Sequence, residues 1–430
     1  MIDFTDISLS NIRRTKLHGI DLPDQMILPA YHGYSINNLP ASIFKWLGKS
    51  NAHWQALADI YHQPLTGPFR KVVMLLVDGL SLRMFQNFIN GGSASTGLPD
   101  TLHPLLDKAS LFALTSVFPS TTTTALTSLW TGATPLQHSI LGYELFLKEF
   151  GMTTNMITHT PTGFTGEDAS LRKAGFQADA FLKVPVIGPL LASQGIKTYT
   201  YMPESIIQSG LTTMFTQGVE RIPYRTDADL WVTLDQQLAR TSEEQAYIHV
   251  YWGNLDELQH KVGPSDPRVL LEWAAFAQRL AWFMKRQQNS GKGDTLFLMT
   301  ADHGQIDCPP ERTLNILTQP ELLNCLTMLP TGESRAPYFF LRPGKEEDFL
   351  RITREFAPDV KLVSRTKILH SSIYGSGEPC QQTLDRIGDW VGIMPSDRYF
   401  YWSTKENKML GRHGGLHYDE MVVPLLGMVF

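Results

Sequence analysis

Five times along this chain a continuous run of apolar residues breaks off at a turn, in KVVMLLVDG, SLFALTSVFPS, IKTYTYMP, AYIHVYWGN and DTLFLMTADHG. A run without polar alternation suits a strand buried on both faces, as in a parallel sheet covered by helices. Between the runs lie helical patterns such as LLEWAAFAQRLAWFMKRQQN, with apolar residues recurring every three or four positions before an Asn-Ser-Gly stop. Strands alternating with helices predict an α/β fold with a largely parallel central sheet flanked by helices.

The chain has 430 residues, 43% of them hydrophobic, which is enough for one large core with an insertion. Residues 1–65 are rich in Pro, Asn and Gly and read as an irregular lead-in packed on the core, ending in a short helix at SIFKWLG. Residues 66–315 and 396–430 form the expected catalytic core, closed by a strand at MVVPLLGMVF. The stretch 316–395, with RAPYFFLRPG, EEDFLRITREFAP and QQTLDRIGDWVGIM, has a different texture and is expected to be a small inserted αβ subdomain.

A net charge of -5 without any Lys/Arg block argues against a dedicated nucleic-acid binder. Cys308, Cys325 and Cys380 are odd in number and widely spaced, so neither a disulfide framework nor a thiolate zinc site is expected. With no signal-like segment at MIDFTDISLSNIRRTKLHGIDLPD and no apolar stretch of membrane-spanning length, the expectation is a cytoplasmic protein with no membrane association.

Asp, His and Thr recur just past strand ends, where open α/β sheets hold their ligands. Asp78 follows KVVMLLV and precedes Gly79, as either a metal-binding carboxylate or the N-cap of the next helix. Asp256 and His260 stand four apart after AYIHVYW, so a helix would turn both to one side, toward an ion or toward solvent. Asp302 and His303 are adjacent beside Gly304, which lets the backbone turn both inward. In GRHGGLHYDE, His413 is flanked by glycines and is preferred as a ligand over His417. Thr122 lies in SVFPSTTTTALTSLWTG, where a helix begins inside the threonine run and its dipole favours an alkoxide and a phosphoryl group. At least one of the four threonines is expected to serve only as an N-cap.

In chain order, Asp78, Thr122, Asp256 with His260, Asp302 with His303, and His413 resemble the metal-binding core of the alkaline phosphatase superfamily, and most of all its nucleotide pyrophosphatase/phosphodiesterase branch. In that branch the nucleophilic threonine precedes a Thr-Gly by nine residues, and counting back from Thr131-Gly132 gives Thr122. The resemblance implies two zinc ions, with manganese as the alternative. Asp78, Thr122, Asp302 and His303 would hold one, and Asp256, His260 and His413 the other. Two divalent ions against three carboxylates leave about one net positive charge to attract a small phosphate ester. The implied activity is hydrolysis of phosphate diesters through a phosphothreonine intermediate.

Two positions depart from the family pattern. Thr123 stands where the family has a base-stacking phenylalanine, and Tyr143 where it has a phosphate-binding asparagine, so that Tyr143 would contact substrate through its phenol. A phosphomonoesterase or phosphonate hydrolase of the same superfamily is the alternative activity. A lapsed, metal-stabilised binding module is a further one.

Overall fold

The structure, a computed structural model, describes residues 1–91, 96–163 and 167–430. Its centre is an eight-stranded sheet in the order Ile2–Asp3, Ser110–Thr115, Val422–Val429, Thr295–Thr300, Lys71–Val77, Ala246–Trp252, Lys197–Pro203, Glu220–Tyr224. All five apolar runs are strands of it. Every neighbouring pair is parallel except the two made by Val422–Val429, which runs antiparallel to Thr295–Thr300 and to Ser110–Thr115. Lys71–Val77, Ser110–Thr115 and Ala246–Trp252 are buried at every position, the condition that an unbroken apolar run satisfies.

The closing strand is thus interior to the sheet, although Pro424 within it has no N–H to give. On the neighbouring strand Ala113 bonds away from Pro424, giving its N–H to Ser8 Oγ at 2.9 Å and accepting the Tyr61 hydroxyl on its carbonyl at 2.8 Å. Side chains of the first sixty-five residues therefore complete the backbone bonding of Ser110–Thr115 on the edge beyond Ile2–Asp3. The same segment adds the edge strand Ile2–Asp3 and the helix Leu39–Trp46, whose Ile43, Phe44 and Trp46 are buried in the main core.

The 24-residue helix Pro267–Ser290 buries Val269, Trp273, Phe276, Leu280 and Phe283 at intervals of three and four, and Phe276 stacks on Trp252 with ring centroids 3.9 Å apart. Among the described residues no helix is long and apolar enough to cross a membrane.

A second sheet is antiparallel throughout, in the order Lys361–Ser364, Trp390–Ile393, Ala336–Phe339, Thr331–Glu333, Glu144–Leu147, Met152–Asn155, Thr160–Pro161. Its first four strands come from the 316–395 segment, but its last three belong to residues 144–161. The segment expected to be a separate insertion therefore shares its sheet with three strands from the core segment. The two sheets are also tied by Arg335 and Glu420, both wholly buried, with Arg335 Nε 2.6 Å from Glu420 Oε1.

Candidate active site: two ligand triads around a threonine

Each site residue is set by the end of a strand or the start of a helix. Asp78 follows Lys71–Val77 directly, and its backbone N–H bonds Trp252 O at 2.9 Å. It does not cap the next helix, because Ser81 does so by accepting Met84 N–H. Gly79 adopts φ +75°, and a Cβ there would stand 3.0 Å from Asp256 Cα, so the turn after Asp78 requires glycine on both counts. Asp302 and His303 follow Thr295–Thr300 and have no exposed side-chain surface. Asp256 and His260 lie on the helix Asn254–Val262 with side chains only 14% and 21% exposed, which excludes the solvated-face reading.

Asp78, Asp302 and His303 form one cluster of metal-type donors, and Asp256, His260 and His413 a second, with the ligand atoms of each within 4.8 Å of one another. His303 and His413 stack at 3.9 Å between the clusters. His417, by contrast, caps the helix Tyr418–Met421 by accepting Asp419 N–H on Nδ1.

The donors are prepared for cations. His260 Nδ1 lies 2.9 Å from Gly411 O, His413 Nδ1 3.1 Å from Ser120 O and His303 Nδ1 3.2 Å from Gly304 O. With each Nδ1–H donated to a carbonyl, the Nε2 lone pairs face inward, the usual orientation of a ligating imidazole. Asp78 Oδ1 and Asp302 Oδ2 are buried with no hydrogen-bond partner, which would be costly unless a cation accepted them. The Tyr251 hydroxyl occupies the other Asp78 oxygen, Oδ2. Burial, and then the neighbouring Asp302 and Asp256 carboxylates, hold the Asp78 carboxyl well above its usual range. Burial also works to raise Asp256, but the charges and hydrogen bond of His260 outweigh it and bring this carboxyl low. His413 is driven well below the usual imidazole value by burial and by His303. The six side chains fit a pair of divalent cations.

A divalent ion needs neutral imidazoles and ionised carboxylates. Zinc added to chelator-stripped protein is therefore expected to raise the thermal midpoint more at pH 8 than at pH 5. At pH 8 the stabilisation should reach about 2.7 kcal/mol at 100 times the dissociation constant. Equal shifts at both pH values in calorimetry would count against the two triads as the binding sites.

Thr122 opens the helix Thr122–Thr131, and of the four consecutive threonines it is the one that is not buried. Its Oγ1 is 3.1 Å from His303 Nε2. Thr121 holds the N-cap position, but its side chain makes no capping bond and instead bonds the Glu333 carboxylate. The expectation of a threonine side-chain cap is therefore overturned, because a carboxylate from the second sheet competes for the hydroxyl. The first amides of the helix are left without a side-chain acceptor, which suits an anion.

Thr122, Asp256, His260 and His413 open into a cavity of about 390 Å³ whose far wall comes from the second sheet and the Phe400–Met409 region. Tyr143 lines it. The Tyr143 hydroxyl accepts Asn155 Nδ2 at 2.6 Å, while Asn155 Oδ1 is held by the Ile157 and Thr158 amides. With its lone pair engaged, the phenol is left as a donor. Glu333 and Glu144 line the same wall, and burial pushes the Glu333 carboxyl up to about 7. Neither glutamate was expected from sequence. They lie on short antiparallel strands whose pairing, Gly332 with Glu144, has no local signal.

An α/β core with ligand triads at its strand ends and a threonine between them defines a phosphatase-like hydrolase fold. Residues 72–416 match the family of type I phosphodiesterases / nucleotide pyrophosphatases, and the chain belongs to that hydrolytic family. Among solved structures, murine ectonucleotide pyrophosphatase / phosphodiesterase 5 aligns with TM-score 0.60 at 16% identity, covering 83% of this chain and 87% of that one. An inactive threonine-to-alanine variant of it in complex with AMP aligns with TM-score 0.59 at 16% identity over the same shares. Phosphonoacetate hydrolase from Sinorhizobium meliloti 1021, in complex with phosphonoacetate, also gives TM-score 0.59 at 16% identity, covering 84% and 90%. A search of curated proteins finds no match.

Proposed function

We propose that this protein hydrolyses phosphate diesters with Thr122 as nucleophile and two divalent metal ions, zinc or manganese, as cofactors. The observation that carries the reading is Thr122 Oγ1, the accessible hydroxyl of its run, 3.1 Å from His303 Nε2 at the junction of two metal-type triads. When bound, the ions lower the pKa of the threonine hydroxyl and of the hydrolytic water and neutralise charge on the phosphoryl group. Asp78, Asp302, His303 and Thr122 would hold one ion, and Asp256, His260 and His413 the other.

Thr122 Oγ forms a bond to phosphorus as the bond to the departing alcohol oxygen breaks, and water then cleaves the phosphothreonine to restore the hydroxyl. The uncapped helix amides and the Tyr143 phenol supply hydrogen bonds to the non-bridging oxygens.

Both diester and phosphonate hydrolysis are represented among the structural neighbours, and the cavity wall favours the diester. A monoester dianion or a carboxyphosphonate brings extra negative charge. Among the described residues the cavity meets it with two glutamates and, as its one Arg or Lys, Arg412, whose guanidinium is turned onto the Tyr399 ring at 3.9 Å. Metal-loaded protein is therefore expected to cleave bis-p-nitrophenyl phosphate at least about tenfold faster, in kcat/KM, than p-nitrophenyl phosphate, a difference of roughly 1.4 kcal/mol in the barrier. Preference for the monoester, or release of phosphate from phosphonoacetate in place of diester cleavage, would move the assignment to the other branch.

A further inference from the structure

The three carboxylates of the two triads are divided in the same way. Each has one oxygen engaged by a donor from the protein and the other left toward its triad. Asp302 Oδ1 accepts the backbone N–H of His303 at 2.9 Å and of Gly79 at 3.3 Å, and its Oδ2 lies 3.3 Å from His303 Nε2. Asp78 Oδ2 accepts the Tyr251 hydroxyl, and its Oδ1 lies 3.6 Å from His303 Nε2. Asp256 Oδ1 accepts an Nε2–H of Gln305, and its Oδ2 lies 3.3 Å from His260 Nε2.

For Asp302 the backbone enforces this division, whereas for Asp78 and Asp256 two side chains do so. Tyr251 belongs to the fully buried strand Ala246–Trp252, and its hydroxyl passes so near Gly253 that a Cβ there would stand 3.0 Å away. Gln305 is only 3% exposed, and its Nε2 also donates to Asp256 O at 3.1 Å, so two acceptors fix which end of the amide faces the aspartate. On its other side a Cβ at Gly411 would stand 2.5 Å from Gln305 Oε1, and the Gly411 carbonyl is the partner of His260 Nδ1. Gln305 is therefore wedged between Asp256 and the residue that orients His260.

Resting on the two-metal reading above, we infer that Tyr251 and Gln305 are positioning residues that set which metal the site accepts, by holding Asp78 and Asp256 to a single ligating oxygen each. The first triad then offers Asp78 Oδ1, Asp302 Oδ2 and His303 Nε2 beside the Thr122 hydroxyl, and the second offers Asp256 Oδ2 with the Nε2 atoms of His260 and His413. Such small, nitrogen-containing sets suit four-coordinate zinc. Manganese and calcium favour larger sets made mostly of oxygen, and calcium commonly takes a carboxylate through both of its atoms. Removing the Tyr251 hydroxyl or the Gln305 amide frees the second oxygen and moves the site toward those ions.

The test titrates chelator-stripped, full-length wild type, Tyr251→Phe and Gln305→Met with zinc against a chromophoric chelator, and with manganese by EPR. Wild type is expected to bind two zinc ions per chain. The ratio of the manganese to the zinc dissociation constant is expected to fall by about tenfold or more, for one of the two ions, in each variant. A merely structural defect weakens both metals alike and does not move the ratio, and Tyr251→Phe, which removes one oxygen atom, keeps the test open even where Gln305→Met folds poorly. Two zinc ions in wild type with an unchanged ratio in the variants overturns the inference and leaves the two-metal reading standing. Fewer than two zinc ions in wild type overturns the two-metal reading and this inference with it.

Discussion

Thr122→Ala is expected to lower the turnover of bis-p-nitrophenyl phosphate by on the order of 10³-fold or more while leaving about two bound ions per chain. Loss of a nucleophile removes the covalent route, whereas the six Asp and His donors stay in place and the methyl of alanine fits the space of the threonine side chain. Neighbouring threonines give the control. Thr121 is already bonded to Glu333, and Thr123 and Thr124 are buried with their hydroxyls facing no solvent. Their alanine variants are expected to keep most of the activity. Metal analysis beside steady-state kinetics separates the cases, and full activity in Thr122→Ala would end the assignment of the nucleophile.

Glu420→Gln is expected to destabilise the protein by about 3–5 kcal/mol, read from the urea midpoint, because it leaves the Arg335 guanidinium buried without a counter-charge. The position is unusually demanding. Arg335 gives Nε and Nη2 to Glu420 at 2.6 and 2.9 Å and Nη1 to the carbonyls of Ser396 and Arg398, while Glu420 also receives the backbone N–H of Gly415 and His417. Those last two bonds anchor the turn that carries His413. The same substitution should therefore weaken binding of the second metal ion, and a variant with unchanged stability and full metal content would refute the account.

Much of the site was legible because its residues announce themselves locally. The apolar runs fixed where the strands end, and Asp78, Asp256 and Asp302 each follow one. Four-residue spacing placed Asp256 and His260 on one helical face, and glycine around His413 separated it from His417, which turned out to cap a helix.

The wall opposite the metals was not legible. Glu144 and Glu333 lie nearly two hundred residues apart in sequence and meet only through a single antiparallel pairing, Gly332 with Glu144. The side-chain cap expected of at least one threonine fails for the same reason, since a side chain from that distant sheet takes the Thr121 hydroxyl at the N-cap position. The closing strand was recognised as a strand, but nothing within MVVPLLGMVF states that it runs antiparallel between two others.

That inner position has a consequence for the order of assembly. Val422–Val429 pairs with residues 110–115 on one side and 295–300 on the other, so until it docks the main sheet exists as two unjoined parts. Pairings across more than a hundred residues carry a high loop-closure cost and slow the search for the native state. Docking of this strand also brings in the preceding turn with His413. The second triad is therefore complete only once this strand has docked, and a metal ion held there would fasten the closing strand in place.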